Sequence, residues 1–125
     1  MAVESPAGFV ALKKVLAPHA KKLSVTADAS TFYALYSNLP SPFPQHKGKP
    51  LFFAAVKVGK AYVSFHLMPL YMCPKLTQTI SPALKKRMQG KACFNFKTVP
   101  EPELIAELRR LTQTSLQLWN EKGWA

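Results

Sequence analysis

Two apolar runs, Leu51 to Val58 and Ala61 to Met68, sit either side of Gly59-Lys60. Both are rich in Val, Phe and Tyr, side chains that fit a pleated, half-buried surface. A glycine-containing break of two residues between such runs marks a β-hairpin. This hairpin is the strongest constraint in the chain. Strands adjacent in sequence that pair with one another build an antiparallel sheet, and such a sheet needs helices over one face.

The remaining segments supply those partners. Ser5-Pro6 reads as a helix cap followed by proline at the first helical position, and Phe9, Leu12 and Leu16 recur at helical spacing up to Pro18. Leu23, Val25 and Ala27 alternate with Ser24, Thr26 and Asp28, the pattern of a short strand, and Phe32 to Ser37 forms the next one. NLPSPFPQHKGKP, residues 38–50, is a proline-rich loop of a length associated with function or mobility. Pro69 and Pro74 flank a turn. Ser81-Pro82 repeats the cap-and-proline start, with Leu84 and Met88 one turn apart on its inner side and Gly90 placed to end that helix. Ala92 to Lys97 is the last strand. Leu104, Leu108, Leu111, Ser115 and Leu118 trace one stripe of a long amphipathic helix that starts near Pro102. The expected architecture is a single α+β domain over residues 1–125, with a mainly antiparallel sheet of about five strands, helices on one side and a long C-terminal helix.

Strand periodicity then sorts side chains by face. In the last strand Ala92, Phe94 and Phe96 point one way, and Cys93, Asn95 and Lys97 the other. A helix-backed sheet takes its apolar face inside, so both phenylalanines belong to the core. In the second hairpin strand Val63, Phe65 and Leu67 form the inner face, and Tyr62, Ser64, His66 and Met68 the outer one, which Lys57 joins across the hairpin. A face carrying Tyr, Ser, His, Asn and Lys suits either a wetted sheet surface or a ligand site in which a few polar groups fix orientation.

The basic stretch KKRMQGKACFNFK, Lys85 to Lys97, runs beside that face. Its cations suit the negative end of a helix dipole. They also suit an anion-binding rim in which Arg87 and Lys91 reach a ligand on the sheet. The RNA-recognition pattern K/R-G-F/Y-G/A-F-V-x-F/Y, aligned on Gly90, places Lys91 and Cys93 at the stacking aromatic positions and Phe94 and Phe96 in the core, so that likeness is superficial.

Composition bounds the partner class. The chain has 17 Lys and Arg against 6 Asp and Glu, a net charge of +11, which attracts polyanions and acidic surfaces. No apolar run approaches the roughly 20 residues of a membrane span. The first residues, MAVESPAGFVALKK, carry Glu4 early and lack the apolar stretch of a secretory signal, so a cytoplasmic location is expected. Two cysteines, Cys73 and Cys93, read as a reduced pair.

No G-x-S-x-G, phosphate loop, H-E-x-x-H or paired-cysteine metal motif occurs, and His19, His46 and His66 are isolated. Catalysis, a metal and a cofactor therefore have no positive signal. Glu103 and Glu107, four apart on the last helix, read as dipole-complementing acids, with Glu107 paired to Arg110.

SFHLMPLYMCPKL and SPALKKRMQGKACFNFK closely resemble the YdhG-like family of small bacterial domains. The resemblance runs from about Leu23 to the last helix, and Phe65 to Pro69, Ser81-Pro82 and Lys85 to Phe96 carry it. It implies an α+β domain with an antiparallel sheet. Some relatives are described as frataxin-like iron chaperones, which implies iron delivery for cofactor assembly as an alternative function. Frataxin-type sites use acidic surfaces, unlike this basic chain, and no iron-binding or catalytic residue is carried over.

The expected function is thus a non-enzymatic binding module for a small anionic ligand or an acidic partner surface. Tyr62, Ser64, His66 and Asn95 would orient the ligand, and Arg87 and Lys91 would supply charge. Weak nucleic-acid binding is a further alternative.

Overall fold

Five strands pair in the order in which they occur in the chain, each antiparallel to the next. The computed structural model describes residues 6–59 and 62–125. Ser5, Lys60 and Ala61, on which the first helix cap and the hairpin turn were expected, lie outside the described residues, as do the side chains of Pro6 and His46.

The strands are β1 (Ser24–Asp28), β2 (Phe32–Tyr36), β3 (Phe52–Val58), β4 (Val63–Leu67) and β5 (Cys93–Phe96). Helix α1 (Pro6–Leu16) precedes the sheet and passes into a 3₁₀ turn over Ala17–Lys22 that contains Pro18. Short helices α2 (Met68–Met72), α3 (Pro74–Thr77) and α4 (Pro82–Lys85) lie between β4 and β5, and α5 (Pro102–Lys122) closes the fold. The α+β architecture expected from sequence is the one observed.

Register places Tyr33, Val56, Phe65 and Phe94 in one cross-strand row, and Val58, Val63 and Phe96 in another. These residues are buried, except Val58, which packs half-buried at the edge of the same core. Phe9, Leu12, Val15 and Leu16 of α1 and Leu104, Leu108 and Leu111 of α5 cover them. Phe94 and Phe96 are core residues, as the strand alternation requires. Apolar burial of this kind, at about 25 cal/mol per Å², is the main favourable term for the fold.

Two irregularities adjust the simple alternation. The β2–β3 register shifts between Leu35 and Tyr36, leaving Phe53 as an extra residue. Phe53 and Ala54 are therefore both fully buried, and Phe53 meets the Trp119 ring of α5 edge-on at 5.3 Å. A second shift, between Val25 and Ala27, lies in the edge strand β1, and Val25 is 43% exposed instead of facing the core.

The segment after α4 also departs from expectation. Gly90 does not end that helix, which stops at Lys85. Asn95 N–H donates to Arg87 O (2.8 Å), Gln89 N–H donates to Cys93 O (2.9 Å), and Met88 bridges to Phe94. The chain turns at Lys86 and Arg87, and Met88 and Gln89 then run along the outer edge of β5. Gly90, at φ +76°, makes the reversal, a conformation that L side chains rarely adopt. Pro69 and Pro74, expected to flank a turn, lie in the first turns of α2 and α3, Pro69 as the second residue and Pro74 as the first.

Helix α5 ends in a Schellman arrangement. Gly123 (φ +73°) donates to Asn120 O, Trp124 N–H donates to Trp119 O at 2.8 Å, and the two indoles pack at 6.0 Å. Trp119, at the core, takes the place expected for Leu118, which is half-buried at the margin. No described helix is long and apolar enough to cross a membrane.

Candidate functional site

Strand β4 alternates buried Val63, Phe65 and Leu67 with half-buried Ser64 and His66, and β5 alternates half-buried Cys93 and Asn95 with buried Phe94 and Phe96. Ser64 pairs with Asn95 on one side and Lys57 on the other, and His66 pairs with Cys93 and Ala55. Ser64, His66, Cys93, Asn95 and Lys57 therefore share the face opposite the core.

Asn95 organises this face. Its Oδ1 accepts from Ser64 Oγ at 2.8 Å and from the Cys93 thiol at 3.4 Å, and its Nδ2 donates to Gln89 Oε1. His66 Nε2 lies 3.9 Å from Cys93 Sγ. Burial, then the nearby Lys57 ammonium, holds the His66 imidazole below its ordinary pKa of 6.5. Burial also pushes the Cys93 thiol up, against a smaller opposing effect of Ser64. A neutral imidazole beside a protonated thiol is a hydrogen-bonding pair, not an activated nucleophile, because the thiolate is the reactive form. Cys73 and Cys93 are both free thiols.

Beside this row lies a cleft of about 390 Å³. Tyr62, Lys86, Arg87, Gln89, Asn95 and Lys97 contribute to its walls, and among the described residues no carboxylate does. Lys97 Nζ stands 5.8 Å from the centre of the Tyr62 ring. Arg87 is held between the Phe96 ring, at 5.9 Å, and Glu101, at 3.5 Å, so one of the three cations is partly neutralised.

Tyr62, Arg87 and Asn95 meet in this cleft. Ser64 supports it through Asn95, and His66 sits one residue pair further along the same face. Lys91 is not part of the group. The Gly90 reversal turns it toward Tyr71, where its Nζ lies 5.7 Å from the ring centre, and it lines a separate hollow. Sequence reasoning missed Gln89 and Lys86, because a helix over residues 82–89 would have pointed them elsewhere. The available signal was Gly90, which also fits a tight reversal between two extended pieces.

Glu107 requires a correction. It does not lie on the surface beside Arg110 but is 6% exposed, with Oε2 accepting from Ser81 N–H (2.7 Å) and Oε1 from Ser81 Oγ (2.6 Å). It is thus withdrawn from any acidic surface with Glu103. Among the described residues no group of three or more His, Cys, Asp and Glu could hold a metal ion.

Fold and site together define a small α+β domain with a polar, cation-edged sheet face. No match to this chain was found among protein-family models, curated proteins or solved structures.

Proposed function

We propose that the chain is a binding module that takes a small phosphate- or carboxylate-bearing ligand in the cleft between Tyr62 and Arg87. The observation that carries this reading is the composition of the cleft. Lys86, Arg87 and Lys97 line the same cleft as the amides of Asn95 and Gln89, and among the described residues the one carboxylate paired with these cations is that of Glu101. Cations supply attraction, and the interlinked amides supply fixed hydrogen-bonding directions. The reading includes a place in the YdhG-like family, supported by the Phe65–Pro69 and Lys85–Phe96 motifs together with the antiparallel α+β topology. It does not extend to the iron-chaperone role, because Glu107 is committed to Ser81.

The test is an NMR titration that follows the side-chain amides of Asn95 and Gln89 while inorganic phosphate or succinate is added at constant ionic strength. Saturable shifts at these two amides, abolished in K86E/K97E, are expected; both lysines are exposed, so the fold survives their reversal. Shifts that fail to saturate, or that appear equally at lysines all over the surface, would overturn the assignment.

A further inference from the structure

Helices α2 and α3 and the segment from Lys85 to Lys91 together line a hollow of about 420 Å³. That volume falls within the roughly 300–1,000 Å³ of sites that take one small organic molecule. Leu70, Tyr71, Pro74 and Met88 give the hollow apolar walls, and Lys85 and Lys91 stand among them. Leu70 is a core residue, whereas Tyr71 is 61% exposed.

The charge of this hollow has one sign. Among the described residues no Asp or Glu lines it, and neither Lys85 nor Lys91 is in a salt bridge. Lys91 Nζ lies 5.7 Å from the centre of the Tyr71 ring, so a cation is held directly beside an exposed aromatic wall. An acid group here gains from both ammonium groups, while the rest of the ligand covers apolar surface that water otherwise wets. Tyr71 offers a ring face and Met88 a thioether, and both favour an aromatic body over an aliphatic one.

Contacts within the chain hold these walls. Glu107 and Ser81 fix the start of α4, whose last residue is Lys85. Cys73 N–H donates to Pro69 O at 2.8 Å and Leu76 N–H to Cys73 O at 3.0 Å, which joins α2 to α3. Gly90, at φ +76°, turns the chain so that Lys91 arrives at Tyr71. Binding therefore needs little backbone ordering.

From these relations we infer that the hollow is a site for a small aromatic carboxylate. The ring of the ligand lies against Tyr71 and Met88, and its carboxylate meets Lys85 and Lys91. This chemistry goes beyond the ligand of the cleft beside Asn95, and binding at one place does not require binding at the other. Met88 lines both spaces, so each needs its own reporter.

The test titrates the full chain with cinnamate at constant ionic strength and follows the Thr77 backbone amide and the Gln78 side-chain amide by NMR. Both residues line the hollow, and neither lines the cleft beside Asn95. Saturable shifts are expected at these two, at lower concentrations than any at the side-chain amides of Asn95 and Gln89. K85E/K91E and Tyr71→Ala should each weaken binding at least about tenfold, and K86E/K97E should leave it within about twofold. Lys85, Lys91 and Tyr71 are exposed, and unchanged circular dichroism will confirm folding. Cinnamyl alcohol, which lacks the charge, and acetate, which lacks the ring, should each bind at least about tenfold more weakly than cinnamate. Absence of saturable shifts at Thr77 and Gln78 would overturn the inference, as would equal affinity for either analogue or indifference to K85E/K91E. Shifts led by Asn95 and Gln89 would place cinnamate in the neighbouring cleft and equally overturn it.

Discussion

Both carboxylate oxygens of Glu107 are committed to Ser81, one accepting from its backbone N–H and the other from its hydroxyl. Ser81 Oγ in turn accepts from Leu84 N–H at 3.2 Å, so a residue of α5 orients the cap of α4. The contact joins two residues 26 apart in the chain and positions the segment that leads to Arg87 and Gln89. Removing Glu107 would leave the N–H and the hydroxyl of half-buried Ser81 without their acceptor. Glu107→Ala is expected to cost about 3 kcal/mol, and Ser81→Ala about 1–2 kcal/mol. Urea denaturation of the singles and the double should show a coupling of at least about 1 kcal/mol. Additive losses would show that the two residues act independently.

Ser115 presents the opposite situation. Its Oγ is fully buried and has no hydrogen-bond partner among the described residues, and neither does Nε1 of Trp119 one turn later. A buried hydroxyl without a partner is destabilising, and alanine is the better helix former. Ser115→Ala should therefore leave stability unchanged or raise it by about 1 kcal/mol. A clear fall in the urea midpoint would reveal that the hydroxyl has a stabilising role.

His66 sets a pH dependence whose sign follows from its environment. The folded imidazole, half-buried beside Cys93 and facing the Lys57 charge, holds its proton less tightly than in the unfolded chain. Below the ordinary value of 6.5 the unfolded state takes up the proton first, so stability falls as pH falls and is level above that value. His19 is also held low, by burial and then Lys22, and contributes in the same direction. Denaturation from about pH 7.5 to about pH 5 should show this loss, and His66→Gln should reduce its slope without removing the part due to His19. An unchanged slope in the variant would show that His66 is not its source.

Gly123 holds the left-handed conformation that lets Trp124 fold back over Trp119. A Cβ there would meet no atom within 4 Å, so only backbone strain opposes a substitution. Gly123→Ala is expected to cost about 1 kcal/mol. The near-ultraviolet circular dichroism of the tryptophan pair should change with it. A loss well above 2 kcal/mol in thermal unfolding would point to a collapse of the Phe43–Trp124 contact as well.

Much of this molecule was legible because its signals are local. The two-residue period of β4 and β5 was enough to put Phe65, Phe94 and Phe96 inside and Ser64, His66 and Asn95 together outside, since pairing register preserves face from strand to strand. The helical spacing of Leu104, Leu108 and Leu111 likewise identified the buried stripe of α5. Glu107 lies on that same stripe, three residues after Leu104 and four before Leu111. Its charge argued for the surface, and only the arrival of Ser81 from another helix made burial tolerable.

Non-local competition decided the rest. The segment from Lys85 to Gln89 has helical residues and a helical start, yet Arg87 and Gln89 bond to β5 because the exposed edge of that strand offers partners a continued helix would leave unused. That exchange assigns Gln89 and Lys86 to the cleft beside Asn95 and sends Lys91 round the Gly90 reversal to Tyr71. Phe53 turns inward for a related reason: the bulge against Tyr36 adds one residue to β3, and the Trp119 ring fills the space opposite it. Periodicity along the chain thus determined which face each residue of β4 and β5 would occupy. Pairing between distant segments decided which of those residues came to line a common cleft, because register and reversals depend on partners that no local window of sequence contains.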